Sequence, residues 1–424
     1  MNEVQKHDDC CADGHAGAAL KLADALARIL AEAHPVGGEE MLAVRSALGR
    51  VLAADVVSRM DVPSHTNSAM DGYALSGTEL GAAGELRLTV IGTAAAGRPF
   101  DGEVSAGECV RIMTGAMLPP GADTVVMQER VTREGDTAVI AEGQTPGQHV
   151  RQAGEDIAAG DVALAAGTRL MPAELGMLAS LGVGEVRVRR RPRVAFFSTG
   201  DELRPVGESL APGQIYDSNR YTIHGMLTRL GVETIDMGIV PDERETVERA
   251  FADAARLADA VVTSGGVSVG DADYVTQTLE RTGSIGFWKV AMKPGRPLAF
   301  GRIGDALFFG LPGNPVSAMV TFIQLVRPAL VKLAGARPAP ALAFDVPTRH
   351  AIRKKAGRRE FQRGRLVSGE HGLEVEPFGH QGSGVLRSMS RADCLINLAP
   401  NQGNVEAGAR VTVEPFAQPI WNGD

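Results

Sequence analysis

Apolar residues recur at Leu20, Ala23, Leu26, Ala27 and Leu30, the spacing of one helical face, and "PVGG" (35–38) ends that run. A second helix is expected over residues 39–48. From about 60 to 151 the pattern shortens to alternating runs such as "LRLTVIG" (86–92) and "TAVIAEG" (137–143), broken by glycine and proline, which predicts a β-rich module. Helical spacing returns over 171–181. One mostly helical unit is therefore expected to be interrupted by the β module.

After the basic cluster "RRRPR" (189–193), expected as a solvated domain junction, strand and helix patterns alternate. "RVAFFSTG" (193–200), "VETIDMGIV" (232–240) and "DAVVTSGG" (259–266) read as strands. "NRYTIHGMLTRLG" (219–231), "DERETVERAFADAARLA" (242–258) and "DADYVTQTLERTG" (271–283) read as helices. This succession predicts a doubly wound parallel sheet with ligands at the carboxyl ends of its strands. A proline-bearing linker at 337–347 precedes glycine-rich short strands that suggest a small β-barrel or sandwich.

Composition narrows the function. A chain of 424 residues exceeds one ordinary core, and 44% apolar with 22% charged residues is globular. The net charge of −8 gives no wide attraction for phosphates, so a nucleic-acid partner is not expected. No signal segment or bilayer-length apolar run is visible, and a membrane partner is likewise not expected. The four cysteines, Cys10, Cys11, Cys109 and Cys394, show no ligand spacing, which fits a reduced, cytoplasmic protein. His7, Cys10, Cys11 and His15 read as a polar N-terminus.

The candidate chemistry sits at strand ends. In "VVTSGGVSVGDADYV" (261–275), Gly265 and Gly266 admit an anion to bare backbone, and Ser264 and Ser268 add hydroxyl donors. Asp271 and Asp273 would repel a phosphate there, unless a divalent cation such as Mg²⁺ is shared between them. Capping and turning explain the segment about equally well. "FFSTGDEL" (196–203) presents Asp201 and Glu202 at a second strand end. "GIVPDERE" (238–245) brings Asp242 to a third, where a capping box with Glu245 is the competing explanation. Downstream, Lys289, Lys293 and Arg296 lie beside "LPGNPVSA" (311–318), whose Asn314 and Pro315 are helix-start residues. Three cations next to a free helix N-terminus predict a separate anion site.

Eight motifs occur in order: "NSAMDGYA" (67–74), "RIMTGAMLPPGADTVVMQE" (111–129), "RQAGEDI" (151–157), "STGDEL" (198–203), "IYDSNR" (215–220), "SGGVSVGDADY" (264–274), "KPGRP" (293–297) and "LPGNPVSA". On these the chain resembles the molybdopterin molybdenumtransferases, the MoeA and gephyrin E-domain family, from about residue 20 to 416. The resemblance implies a multidomain α/β plus β architecture. Its parts are a discontinuous helical dimerisation domain (18–59 and 152–190), an inserted β-rich domain (60–151), a doubly wound α/β molybdopterin-binding domain (191–336) and a C-terminal β-barrel (337–424). It implies a homodimer that inserts molybdate into adenylylated molybdopterin with Mg²⁺-dependent release of AMP.

Carried over, the loop with Ser264, Gly265, Gly266, Ser268 and Gly270 would hold the pterin phosphate and adenylate. Glu202, Asp242 and Asp273 would be the acidic catalytic or metal-binding residues, with Asp271 as a further metal ligand. Lys289, Lys293, Arg296, Pro312 and Pro315 would line the molybdate side, completed by Arg363, Arg365, Ser383 and Ser388. Asp71 and Thr114 resemble residues that reach the partner subunit's cleft. A molybdopterin adenylyltransferase and molybdoenzyme-maturation proteins are the partners such a role implies. Two alternatives remain at this point: a molybdopterin adenylyltransferase, usually little more than the α/β domain, and a scaffold, which need not keep the "GDEL" and "GDADY" carboxylates.

Overall fold

The computed structural model describes residues 19–81, 84–265 and 283–416. It divides into two compact units, residues 41–188 and residues 1–40 with 189–424.

In the first unit, a six-stranded mixed sheet forms the β module, in the order Thr124–Met127, Gly72–Leu75, Glu108–Ile112, Leu86–Ala94, Thr137–Ile140, Val131–Glu134. Strand alternation sends Ala74, Val110, Ile112 and Val125 to one apolar cluster and Tyr73, Leu75, Cys109 and Val126 to another. The flanking segments are less helical than expected. Residues 39–48 form the strand Glu39–Ala43 and a 3₁₀ turn, Val44–Ser46, and Val44 gives its N–H to the Gly184 carbonyl. The one α-helix described in this unit is Pro172–Ser180, where Leu178 packs with Leu52, Leu170 and Val188.

The second unit is the doubly wound domain with its C-terminal sheet. Its six-stranded sheet runs Glu233–Val240, Arg193–Thr199, Ala260–Ser264, Ala306–Leu311, Pro297–Ile303, Gly283–Lys289. The first four strands are parallel, as the alternating pattern requires. The last two are antiparallel, which corrects the all-parallel expectation. Only Gly304 and Asp305 separate Ile303 from Ala306, and so short a connection permits a hairpin but no crossover.

Helices cover both faces of the sheet. Ser218–Leu230 and the expected amphipathic helix Leu22–Glu32 bury Ile223, Leu227, Ala25 and Ile29 on one side, while Arg244–Leu257 buries Val247 and Phe251 on the other. The N-terminal helix thus packs into the α/β core. Residues 315–333 form a continuous helix, with a π turn at Phe322–Val326 ending two positions before Pro328, which has no N–H to offer Gln324. Among the described residues this is the one stretch long and apolar enough to cross a membrane, but 61% of it is buried, with Val316, Val320 and Leu325 in the α/β core. It is a core helix.

The C-terminal sheet has the order Met292–Lys293, Arg359–Gly369, Cys394–Leu398, Arg410–Pro415, Phe344–Pro347, with Gly372–Pro377 also pairing Arg359–Gly369. A bridge between Thr348 and Val375 closes it on itself, giving the expected small barrel. Met292–Lys293 belongs by sequence to the α/β domain, so this short strand ties the two together.

Arg190, from the basic cluster, is not merely solvated. Its guanidinium makes a bidentate pair with Asp259 at 2.8 and 2.7 Å, and its Nε donates to the Gly37 carbonyl at 2.6 Å.

Candidate active site

The parallel strands end on a common edge. Register places Ser198 beside Ser264, Ser264 beside Leu311, and Thr199 beside Val240. The segments beginning at Gly200, Pro241, Gly265 and Pro312 therefore leave the sheet together. Gly265 has φ +91°, and a Cβ there would lie 2.5 Å from the Thr199 carbonyl oxygen. No side chain fits, so the backbone stays bare where an anion could approach. Gly266, Ser268, Gly270, Asp271 and Asp273, expected to complete this loop, lie outside the described residues.

Behind the edge stands a buried polar network that sequence reading assigned no role. Asp217 caps the helix Ser218–Leu230, accepting from the Arg220 N–H at 3.1 Å and from the Ser198 hydroxyl at 3.0 Å. Asn219 donates through Nδ2 to Ser264 Oγ and to the Gly313 carbonyl, both at 2.7 Å. The Ser264 hydroxyl thus accepts from Asn219 and keeps its own proton to donate. Thr199 Oγ1 and Asn219 Oδ1 are buried without a hydrogen-bond partner, and such atoms at a strand-end edge are what a polar ligand would satisfy. The signal available was the aspartate before a helical run in "IYDSNR", a helix-start pattern.

The acids sit further out. Asp201 and Glu202 are exposed, and the Asp242 N–H donates to Asp201 Oδ1 at 3.2 Å. The capping box weighed as the competing explanation for Asp242 and Glu245 does not form. The helix Arg244–Leu257 starts one residue later, with Glu243 at its N-cap and no side-chain cap bond. Among the described residues no group of three His, Cys, Asp or Glu gathers to hold a metal. The acids that are present, Glu202 and Asp242, offer only oxygen, which suits a hard cation such as Mg²⁺.

The cationic side is more tightly built. The strands Gly283–Lys289 and Pro297–Ile303 pair Lys289 opposite Pro297, and Val290 donates to the Arg296 carbonyl at 2.8 Å, so Lys289 and Arg296 flank the connection that carries Lys293. Lys293 reaches Glu360 at 3.4 Å. Arg363 is 1% exposed. Its Nε donates to Ser388 Oγ at 3.0 Å and its Nη2 to the His380 and Gly382 carbonyls at 3.4 and 3.1 Å. Burial pushes its guanidinium down to about 10, against the pull of Glu360, which leaves it charged at neutral pH.

The Ser388 hydroxyl also donates to the Val385 carbonyl at 2.6 Å, so its bonds brace Arg363. Ser383 gives its carbonyl to the Val316 N–H at 3.0 Å. The N-terminus after Pro315, expected from sequence to be free, is not, because the C-terminal region occupies its first donor. Pro312 is buried and Pro315 half-buried in the same turn. Arg365 is exposed and takes no part in this group.

In the other unit, Asp71 and Thr114 form a pair. The Thr114 N–H and hydroxyl both donate to Asp71 Oδ1 at 2.7 Å. Those two bonds, the hydroxyl's first, hold the exposed carboxyl below its ordinary value.

Comparison with known proteins covers almost the whole of this architecture. Residues 20–182 match the family described as the MoeA N-terminal region (domain I and II), 195–332 a probable molybdopterin binding domain, and 345–416 the MoeA C-terminal region (domain IV). The chain is 47% identical to a molybdopterin molybdenumtransferase of Haemophilus influenzae, across 89% of this chain and 94% of that one. It is 37% identical to the Nostoc protein of the same name, across 88% of each. The crystal structure of a molybdopterin biosynthesis MoeA protein from Pyrococcus horikoshii superposes with a TM-score of 0.82 at 29% identity, covering 94% of this chain and all of that one.

Proposed function

The chain belongs to the molybdopterin molybdenumtransferase family, transferases of molybdenum cofactor biosynthesis, and from that premise we propose that it inserts molybdate into adenylylated molybdopterin in a Mg²⁺-dependent step that releases AMP. One observation carries this reading. Hydrogen bonds run from Ser264 through Asn219 to Gly313, and from Val316 through Ser383 to the Gly382 carbonyl that holds Arg363. The glycine-lined edge and the cationic group are thus parts of one connected construction, as a reaction between a phosphoanhydride and an oxyanion requires.

In this reading the backbone from Gly265 onward and the Ser264 hydroxyl bind the phosphates of the adenylylated pterin. Lys293 and Arg363, flanked by Lys289 and Arg296, bind and orient molybdate. Arg363, fixed by neutral carbonyls and a hydroxyl, is preorganised for an oxyanion and needs no rearrangement as charge develops. Glu202 and Asp242, with Asp271 and Asp273, would hold Mg²⁺. When bound, that ion neutralises charge on the phosphoanhydride.

The chain is further proposed to act in the cytoplasm as a homodimer in which Asp71 and Thr114 serve the partner's site. A molybdopterin adenylyltransferase would supply its substrate, and molybdoenzyme-maturation proteins would take its product. Lys293→Gln tests the assignment by removing one charge. It should raise the molybdate concentration needed for half-maximal AMP release far more than it alters adenylate affinity, and high molybdate should restore most of the rate. Equal losses for both ligands would place the oxyanion elsewhere.

A further inference from the structure

The cationic group contains one acid that the reaction does not call for. Glu360 is 6% exposed, in a strand segment, 360–364, whose every residue is buried. Its Oε1 accepts from Gln362 Nε2 at 3.0 Å, and Lys293 Nζ lies 3.4 Å from the same oxygen. Its charge also acts on Lys354 and on Arg363, both of which are themselves buried. A carboxylate beside a site for an anion should weaken that site, so its presence needs a reason.

The three cations are not held alike. Arg363 gives side-chain hydrogen bonds to Ser388 and two carbonyls. Lys354 Nζ gives its own to the carbonyls of Gln402 at 2.8 Å and Lys355 at 3.4 Å. Lys293 alone sets its ammonium against the carboxylate. That pair is asymmetric, because the Lys293 side chain is 55% exposed and the Glu360 side chain 8%. Solvent, or an ion from solvent, reaches the lysine while the acid stays behind it. At 3.4 Å the pair is also longer than a tight charge-assisted bond, and half-exposed pairs of this kind contribute little net stability.

We propose that Glu360 is a built-in counter-ion that occupies Lys293 until an oxyanion displaces it, and that it thereby sets both the affinity and the charge selectivity of the site. This rests on the reading of Lys293 and Arg363 as the molybdate side. Without the carboxylate, the positive charges of Lys293, Lys354 and Arg363 would lose the acid that acts on all three, and any anion would be held more readily. With it, an entering ion must out-compete a fixed negative charge. Coulomb repulsion scales with the charge of the incoming ion, so Glu360 penalises a dianion about twice as strongly as a monoanion of the same shape. The acid keeps the site from holding its dianion too tightly to react. It is a specificity-determining residue that acts through Lys293.

The test is calorimetric titration of the full-length chain with molybdate, and with perchlorate, a tetrahedral monoanion, as competitor. Glu360→Gln keeps an acceptor oxygen for both Lys293 and Gln362 and removes only the charge. Molybdate should bind about 10-fold tighter in this variant and perchlorate only about 3-fold, the square root, as expected for a purely electrostatic change across several ångströms of water-screened space. Unchanged or weaker molybdate binding, or an equal gain for both ions, would overturn the proposal.

A second measurement does not depend on the variant folding. In the wild-type protein the ¹³C carboxyl resonance of Glu360 should move as molybdate saturates, since its lysine leaves, and a stationary resonance would also refute the role. If Lys293→Gln weakens molybdate binding while Glu360→Gln changes nothing, the counter-ion idea alone fails. If Lys293→Gln has no effect, the oxyanion site itself is misplaced and the counter-ion role falls with it.

Discussion

The strand-end region of the 189–424 unit and the Asp71–Thr114 pair of the 41–188 unit solve the same problem, holding polar groups in place, by opposite means. Around Asp217, Asn219 and Arg363, burial does the holding. Each group is fixed by two or three bonds to backbone or buried hydroxyls, and none can move without leaving a partner unsatisfied. Asp71 and Thr114 are exposed, and the Asp71 carboxylate takes its two hydrogen bonds from Thr114. The first arrangement orients ligand-binding groups as a consequence of folding. The second adds little to folding and has value only for what it meets, which is why a role at a partner's cleft suits it.

Substitutions should separate the two regions by what they damage. The largest loss of stability is expected for Asp217→Ala, which removes a helix cap and leaves the Ser198 hydroxyl and the Arg220 N–H without their acceptor. Chemical denaturation should show about 3 kcal/mol of destabilisation. A loss below 1 kcal/mol would mean that the buried network is not what fixes the edge.

Asp259→Asn comes next, at about 2 kcal/mol, because it breaks the bidentate pair with Arg190. Burial pushes the Asp259 carboxyl up, but the bonds from Arg190 and the Arg193 N–H and the nearby positive charges outweigh it and hold it below 3.8. A folded-state value lower than the unfolded one contributes stability above pH 3.8 that is lost as pH falls through the lowered value. The difference between wild type and variant should therefore be flat from pH 5 to 8, on the order of that 2 kcal/mol, and shrink only in stronger acid.

Thr114→Ala should lie at the other extreme. Its melting temperature should stay within about a degree of wild type, as for an exposed substitution far from the core, while turnover falls roughly 100-fold. Mixing a Thr114→Trp subunit with an Asp273→Ala subunit should restore part of the activity if the pair acts in trans. No rescue in mixed dimers, or a large stability loss in Thr114→Ala, would erase the contrast between the regions.

Sequence periodicity went far for the α/β domain. Runs such as "RVAFFSTG" bury every residue after the first, and a short apolar run alternating with helical patterns marks the central strands of a parallel sheet. Residues 39–48 misled because Met41, Leu42, Val44 and Leu48 suit either period, and contacts with residues near 184, distant in sequence, decided for strand. The antiparallel pair at the sheet edge turns on a two-residue connection that a count of alternating elements overlooks.

At the site, the glycines and cations were legible as chemistry, since bare backbone and positive charge have few other uses at strand ends. Glu360 was not. In "GRREFQRG" an acid between arginines reads as part of a solvated hairpin, and its burial depends on Lys293, about seventy residues away in sequence, arriving in register beside it.

The reaction proposed for this chain exchanges adenylate for molybdate on the pterin. Its most direct test is AMP appearance when purified protein is supplied with adenylylated molybdopterin and Mg²⁺, before and after molybdate is added. Little AMP is expected without molybdate and about one AMP per pterin once it is present, with molybdenum cofactor formed in the same amount. AMP release at the same rate with or without molybdate, or formation of adenylylated pterin from ATP instead, would contradict it.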